Sequence, residues 1–258
     1  MADYKTRIEQ AKPGQIIPMV REIELSCPVE FFARISDYGR ARHCCLLESR
    51  DTLSEAKGNE LTFGTADPAL YLTGKGDRFE IRALSGTGRR MLGYLDEHRE
   101  RFSFCESVDF GADRITGRIQ RSARRVDEQS RLKTVSQMDV IRAAAFAFEL
   151  ASPPFRVTCG LLGAISYDFI DQFEDLPPNE EDLLGNPDYE LYFADNIFLM
   201  DHHQSKGYIV VNAIVTNGNR QAIYEEAMAR FDRYLDQIRS PRPEPKPCDG
   251  PLPETTTD

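Results

Sequence analysis

Apolar and polar positions alternate along much of the chain, and this pattern predicts short strands joined by turns. The runs at 69–74 and 78–86 alternate as half-buried strands do, and the glycine-containing stretch Gly74-Lys75-Gly76-Asp77 between them is typical of a hairpin turn. A β-branched run at 208–216 follows a long strand pattern at 187–203, so these two segments are also expected to form a hairpin.

Helical periodicity occurs in isolated segments between the predicted strands. The clearest helix is predicted at 137–152, which is rich in alanine, and an amphipathic helix is predicted at 220–238. Proline at the start and glycine after the last apolar residue delimit a third helix at 28–39. Hairpins joined by isolated helices favour an α+β fold with mainly antiparallel β-sheets and flanking helices.

The distribution of polar residues divides the chain into three parts. Residues 1–17 are polar and are predicted to form a loose N-terminal arm, whereas residues 18–239 carry the strand and helix patterns of one domain. Residues 240–258 are polar and rich in proline, which predicts a disordered tail or a linker.

Composition and charge exclude several classes of protein. The formal net charge of −10 argues against nucleic-acid binding, which favours a basic surface. No apolar run approaches the roughly 18 to 20 residues that a membrane-spanning helix needs. The first residues lack the apolar segment of a signal peptide, so we expect a cytoplasmic protein with no membrane partner.

Two clusters of polar residues are candidates for chemistry, but each has a simpler interpretation. The acidic run formed by Asp168, Asp171, Glu174 and Asp175 has the groups for acid–base catalysis or for a divalent cation, yet a surface turn with capping carboxylates is favoured. The adjacent histidines His202 and His203 are possible metal ligands, but neighbouring side chains on a strand point to opposite faces. A solvated turn is therefore favoured over a metal site.

Several sequence blocks occur in an order that is specific to one enzyme family. The most specific block runs from Cys159 to Pro177 and reads CGLLGAISYDFIDQFEDLP. The other blocks are Cys45-Leu46-Leu47-Glu48-Ser49, Ala83-Leu84-Ser85-Gly86 with Gly88, and Pro187-Asp188 with Asp201-His202. In this order they resemble the anthranilate synthase component I family of chorismate-utilising enzymes. The ordered set is stronger evidence than any single block and covers most of the chain up to about Ile238.

The resemblance implies a regulatory site for the feedback inhibitor L-tryptophan at Leu47, Glu48 and Ser49. A zwitterionic amino acid needs an acceptor for its ammonium group, which Glu48 supplies, and donors for its carboxylate, such as the Ser49 hydroxyl. Leu47 is expected to pack on the indole. Lys57 is a further candidate, although no matching motif surrounds it. Without the resemblance, a buried strand whose polar end meets a turn would be preferred.

The resemblance also implies the reaction of the complete enzyme, in which chorismate and ammonia give anthranilate and pyruvate. A glutamine amidotransferase subunit supplies the ammonia in that family. The catalytic groups and the Mg²⁺ site lie in the family's C-terminal half, so this chain is expected to be the N-terminal half. We therefore assign it no catalytic residue, cofactor or metal site. Two alternatives remain open: the N-terminal part of an aminodeoxyisochorismate synthase or other secondary-metabolite relative, or a non-catalytic scaffold that docks the amidotransferase.

Overall fold

The strands of the protein form two six-stranded sheets in a computed structural model that describes residues 3–24, 27–41, 43–49, 61–120, 134–174 and 184–239. Nearly all neighbouring strands in these residues are antiparallel, and only β1 and β8 pair in parallel. The predicted α+β class with mainly antiparallel sheets is confirmed. Sheet A has the order β2 (Cys45–Ser49), β3 (Leu61–Thr65), β11 (Asn196–Asp201), β12 (Lys206–Ile214), β1 (Gln15–Ile23) and β8 (Glu149–Leu150). Sheet B has the order β6 (Cys105–Phe110), β7 (Arg114–Ile119), β5 (Arg78–Ala83), β4 (Leu70–Lys75), β10 (Tyr189–Ala194) and β9 (Gly160–Ile165).

Five α-helices flank the sheets in the described residues. They are α1 (Tyr4–Gln10), α2 (Pro28–Ile35), α3 (Gly86–Glu97), α4 (Gln137–Ala145) and α5 (Arg220–Arg239), with 3-10 turns at Arg99–Phe102 and Tyr167–Gln172. Helix α4 is shorter than predicted because the following residues turn away and pair with β1 as strand β8. None of the helices in the described part of the chain combines the length and apolar content needed to cross a bilayer.

Residues 3–17 contain helix α1 and the start of strand β1, whereas the sequence predicted a loose arm over residues 1–17. Asp3 accepts a hydrogen bond from the amide of Thr6 (3.1 Å), which caps α1. Ile8 of α1 is fully buried in the cluster that α1, α2 and α5 form on one face of sheet A, and β1 already begins at Gln15. The predicted tail at 240–258 lies outside the described residues.

The long strand pattern at 187–203 is divided at Asp195, and its two halves belong to different sheets. Strand β10 pairs with β4 and β9 in sheet B, whereas β11 pairs with β3 and β12 in sheet A. Asp195 is completely buried and forms an ion pair with Arg230 of α5. Burial raises the pKa of Asp195 to about 6, although the Arg230 charge opposes this shift.

A polar network extends this junction to the N-terminus of α3. Arg230 Nη2 donates to the Thr87 hydroxyl (3.2 Å), and that hydroxyl donates to Glu226 Oε1 (2.9 Å). The Ser85 side chain caps α3 by accepting a hydrogen bond from the Gly88 amide (3.2 Å), and a Cβ at Gly88 would collide with the carbonyl group of Ala69. These contacts form an ordinary strand-to-helix turn between β5 and α3.

Two glycines of β9 have backbone angles that favour glycine. Gly160 has φ of +153° and Gly163 has φ of +155°. A Cβ at Gly163 would also collide with the carbonyl of Glu190 on the neighbouring strand, whereas the space around Gly160 is open. Of these two glycines, Gly163 thus allows the close packing of β9 against β10.

Candidate functional site

Three of the residues predicted to bind a ligand, Leu47, Glu48 and Ser49, lie on β2 at one edge of sheet A. In the described residues β2 pairs with β3 alone, with Leu47 opposite Phe63 and Glu48 opposite Thr62. An edge strand leaves its outer row of backbone N–H and C=O groups available for other partners. The candidate site therefore combines side chains with a backbone edge that can donate and accept hydrogen bonds.

Leu47 and Glu48 lie on opposite faces of the sheet, because successive side chains of a strand alternate. Leu47 shares its face with Phe63 and Leu199, and it is 43% exposed. Glu48 is also exposed and lies on the face that sheet A presents to its helices. A single small ligand that contacts both side chains must therefore lie across the outer edge of β2.

The Glu48 carboxylate is at the end of a short chain of polar groups. The hydroxyl of Thr62 donates to Glu48 Oε1 at a long distance of 3.4 Å, and it lies 2.7 Å from His202 Nε2. Thr62 is completely buried, and His202 lies in the turn after β11 and is half-buried. Three adjacent strands thus bring Glu48, Thr62 and His202 together.

The remaining predicted residues are less well defined. Ser49 pairs with Leu61 at the end of β2. Lys57 lies outside the described residues. The structure thus brings Leu47, Glu48 and Ser49 together along one edge strand and leaves Lys57 a prediction.

Thr62 and His202 were missed as partners of this site. His202 was predicted to lie in a solvated turn, and the turn is present between β11 and β12, but its ring contacts a buried hydroxyl. Thr62 lies in β3, a strand of five residues whose own sequence does not indicate which strands pair with it. Only the pairing of β3 with both β2 and β11 reveals that these residues meet.

The acidic run after β9 forms a surface turn, as expected. Asp168, Asp171 and Glu174 are exposed, and the Ser166 hydroxyl accepts a hydrogen bond from the Asp168 amide (3.0 Å). Asp175 lies outside the described residues. Within the described ranges no group of three or more His, Cys, Asp or Glu side chains is arranged to hold a metal ion.

Comparisons with known proteins confirm the resemblance to anthranilate synthase component I. Anthranilate synthase component 1 of Escherichia coli (strain K12) is 29% identical over 208 residues, which are 81% of this chain and 37% of that protein. The protein of the same name from Mycolicibacterium smegmatis is 34% identical over 107 residues, 40% of this chain and 20% of that protein. No protein-family model matches the chain.

A solved structure of anthranilate synthase component I from Streptococcus pneumoniae aligns with 76% of this chain and 34% of that chain, at 14% identity and a TM-score of 0.39. The chain spans about 37% of the length of its Escherichia coli relative.

Proposed function

We propose that this chain is the N-terminal, tryptophan-sensing part of an anthranilate synthase component I. The observation that carries the proposal is the exposed pair Leu47 and Glu48 on the edge strand β2, in a chain whose relatives bear that name. An acidic side chain and an apolar side chain on either side of one strand edge offer the contrasting contacts that an aromatic amino acid requires.

In the proposed complex, L-tryptophan lies across the outer edge of β2. Its ammonium group donates to the Glu48 carboxylate, because charge-assisted hydrogen bonds are the strongest available to an exposed site. Its indole packs on Leu47 and reaches toward Phe63, which shares that face of the sheet. Its carboxylate accepts hydrogen bonds from the Ser49 hydroxyl, from backbone N–H groups of the strand edge, or from Lys57.

The complete protein in this proposal converts chorismate and ammonia to anthranilate and pyruvate. A glutamine amidotransferase subunit supplies the ammonia, and Mg²⁺ binds in the catalytic C-terminal half rather than to residues of this chain. The relatives are anthranilate synthase components, which supports anthranilate over the alternative aminodeoxyisochorismate product. Mass spectrometry of the product of a full-length protein would separate these two, and pull-down with the glutaminase subunit would test the scaffold alternative.

The test of ligand sensing is a titration of the ¹⁵N-labelled chain with L-tryptophan, followed by NMR. We expect weak binding, with a Kd on the order of 1 mM, since part of the family's pocket lies in the other half. The amide signals of β2 and β3 should shift, and Glu48→Gln should weaken binding about tenfold or more through loss of a charge-assisted hydrogen bond.

A matched control comes from the opposite edge of sheet A. Glu149 is an exposed glutamate on the edge strand β8, so Glu149→Gln removes the same charge at a distant place and should leave the Kd unchanged. Equal losses in both variants, or shifts confined to residues away from β2 and β3, would contradict the proposed site.

A further inference from the structure

The turn that follows β11 brings an imidazole ring to the edge site from two strands away. The ring nitrogen Nε2 of His202 lies 2.7 Å from Thr62 Oγ1, and Thr62 Oγ1 lies 3.4 Å from Glu48 Oε1. The register fixes this alignment, since Glu48 is opposite Thr62 and Thr62 is opposite Met200, two residues before His202.

The direction of these hydrogen bonds follows from counting protons. A threonine hydroxyl carries one proton and two lone pairs, and an ionised carboxylate can only accept. If the Thr62 proton is donated to Glu48, the contact with His202 requires that Nε2 carries a proton and that Thr62 Oγ1 accepts it. The chain of donors then runs from His202 to Thr62 to Glu48.

We propose that His202 and Thr62 form a positioning relay that orients the Glu48 carboxylate toward the ammonium group of the bound amino acid. This inference rests on the proposed tryptophan site and adds two residues to it. The relay makes the site selective for ligands with an α-amino group, because the ammonium is the group that the oriented carboxylate contacts.

The relay restricts the rotamers of Glu48, an exposed side chain. A glutamate side chain has many rotamers in solution, and fixing them on binding reduces affinity. A donor that is already fixed restricts the carboxylate before the ligand arrives. Thr62 is such a donor, since it is completely buried in the middle of three paired strands and its oxygen is held by His202.

The first test measures which ring nitrogen of His202 is protonated, by long-range ¹H–¹⁵N NMR on the ligand-free chain under conditions where the ring is neutral. The relay requires the tautomer with the proton on Nε2. Thr62→Val should shift both ring ¹⁵N signals, because it removes the oxygen that Nε2–H contacts. A ring protonated on Nδ1, with a bare Nε2 accepting from Thr62, would overturn the relay.

The second test measures binding of L-tryptophan and of indole-3-propionate, which lacks the ammonium group. His202→Ala should weaken L-tryptophan binding about three- to tenfold and leave indole-3-propionate unchanged. His202→Gln, whose amide N–H can replace Nε2–H, should restore L-tryptophan binding to within about twofold. His203→Ala is the matched control, because His203 is the exposed neighbour in the same turn.

The outcomes separate the relay from the site on which it rests. If L-tryptophan binds but His202→Ala binds it as tightly as the wild type, only the relay is overturned. If the wild-type chain shows no shifts with L-tryptophan at β2 and β3, tryptophan sensing fails and the relay fails with it. Equal weakening for both ligands would mean that His202 supports the fold rather than the carboxylate, and would also overturn the relay.

Discussion

Asp195 and Arg230 carry opposite charges in the interior of the protein, and each charge stabilises the other. The side chain of Asp195 is fully buried and that of Arg230 is 10% exposed. Burial by itself would lower the pKa of Arg230, but the attraction of Asp195 outweighs it and raises this pKa. Such a pair gives little net stability compared with apolar residues, yet removing one partner leaves an uncompensated buried charge.

We therefore predict that Arg230→Met lowers the free energy of unfolding by about 3 kcal/mol or more at pH 7. The control is Arg233→Met on the same helix, because Arg233 pairs with Asp67 but its side chain is 51% exposed. That surface pair should contribute less than about 1 kcal/mol. Urea unfolding curves of the two variants measure the difference, and similar losses would show that the Asp195 charge is not isolated from water.

The raised pKa of Asp195 predicts a pH dependence of stability. The folded protein holds this proton up to about pH 6, whereas the ordinary carboxyl value is 3.8. The folded state therefore binds more protons than the unfolded state between these values, and its stability falls as pH rises from about 4 to about 6. The loss from this group is roughly 3 kcal/mol.

Comparison of the wild type with Asp195→Asn separates the pH dependence due to Asp195 from that due to the other carboxylates. The stability of the wild type relative to the variant should decrease between pH 4 and pH 6 and stay constant above pH 7. Urea unfolding at a series of pH values measures it. A relative stability that increases over this interval would mean that Arg230 lowers the carboxyl pKa below its ordinary value.

At the scale of single elements, the two glycines of β9 allow a matched comparison. Both need a positive φ, but only Gly163 approaches the carbonyl of Glu190. Gly160→Ala should cost about 1 kcal/mol from backbone strain, whereas Gly163→Ala should cost about 3 kcal/mol or more because the added methyl group also displaces β10. Thermal or urea unfolding measures both, and equal costs would remove the close approach as the reason for Gly163.

The sequence predicts those strands and helices in which apolar and polar residues follow one regular pattern along the whole element. The hairpin of β4 and β5, the hairpin of β11 and β12, and helix α5 all have such patterns, and the structure confirms them. The break at Asp195 was not predicted, because apolar residues continue on both sides and the partner of Asp195, Arg230, is 35 residues away. Helix α1 was missed because its one fully buried residue, Ile8, gives no periodic pattern.

Only the residues of the candidate site that come from one continuous stretch of sequence were predictable. Leu47, Glu48 and Ser49 come from a single motif, so the resemblance was sufficient to select them. Thr62 comes from β3 and His202 from the turn after β11, and the contacts that link them to Glu48 through Thr62 depend on the register of β3 with β2 and β11. Register between distant strands follows from the whole sheet, and no local pattern encodes it.

At the scale of the whole molecule, we predict that the 258-residue chain forms no anthranilate. The chain spans 37% of the length of its Escherichia coli relative, and our proposal assigns the catalytic groups to the other part. The measurement is the fluorescence of anthranilate after incubation with chorismate, ammonia and Mg²⁺, with a complete anthranilate synthase as the positive control. Anthranilate formed by the purified chain would show that the catalytic groups lie within it.

The pairing of β1 with β12 determines when this domain can fold. Ile16 is opposite Ile214, so the centre of sheet A joins residues almost at the two ends of the described chain. Contacts between such distant residues form slowly, because a long loop must close before they form. During synthesis on the ribosome, β1 therefore cannot pair with β12 until β12 has emerged. Until then, chaperones or transient contacts must keep the apolar residues of β1 from aggregating.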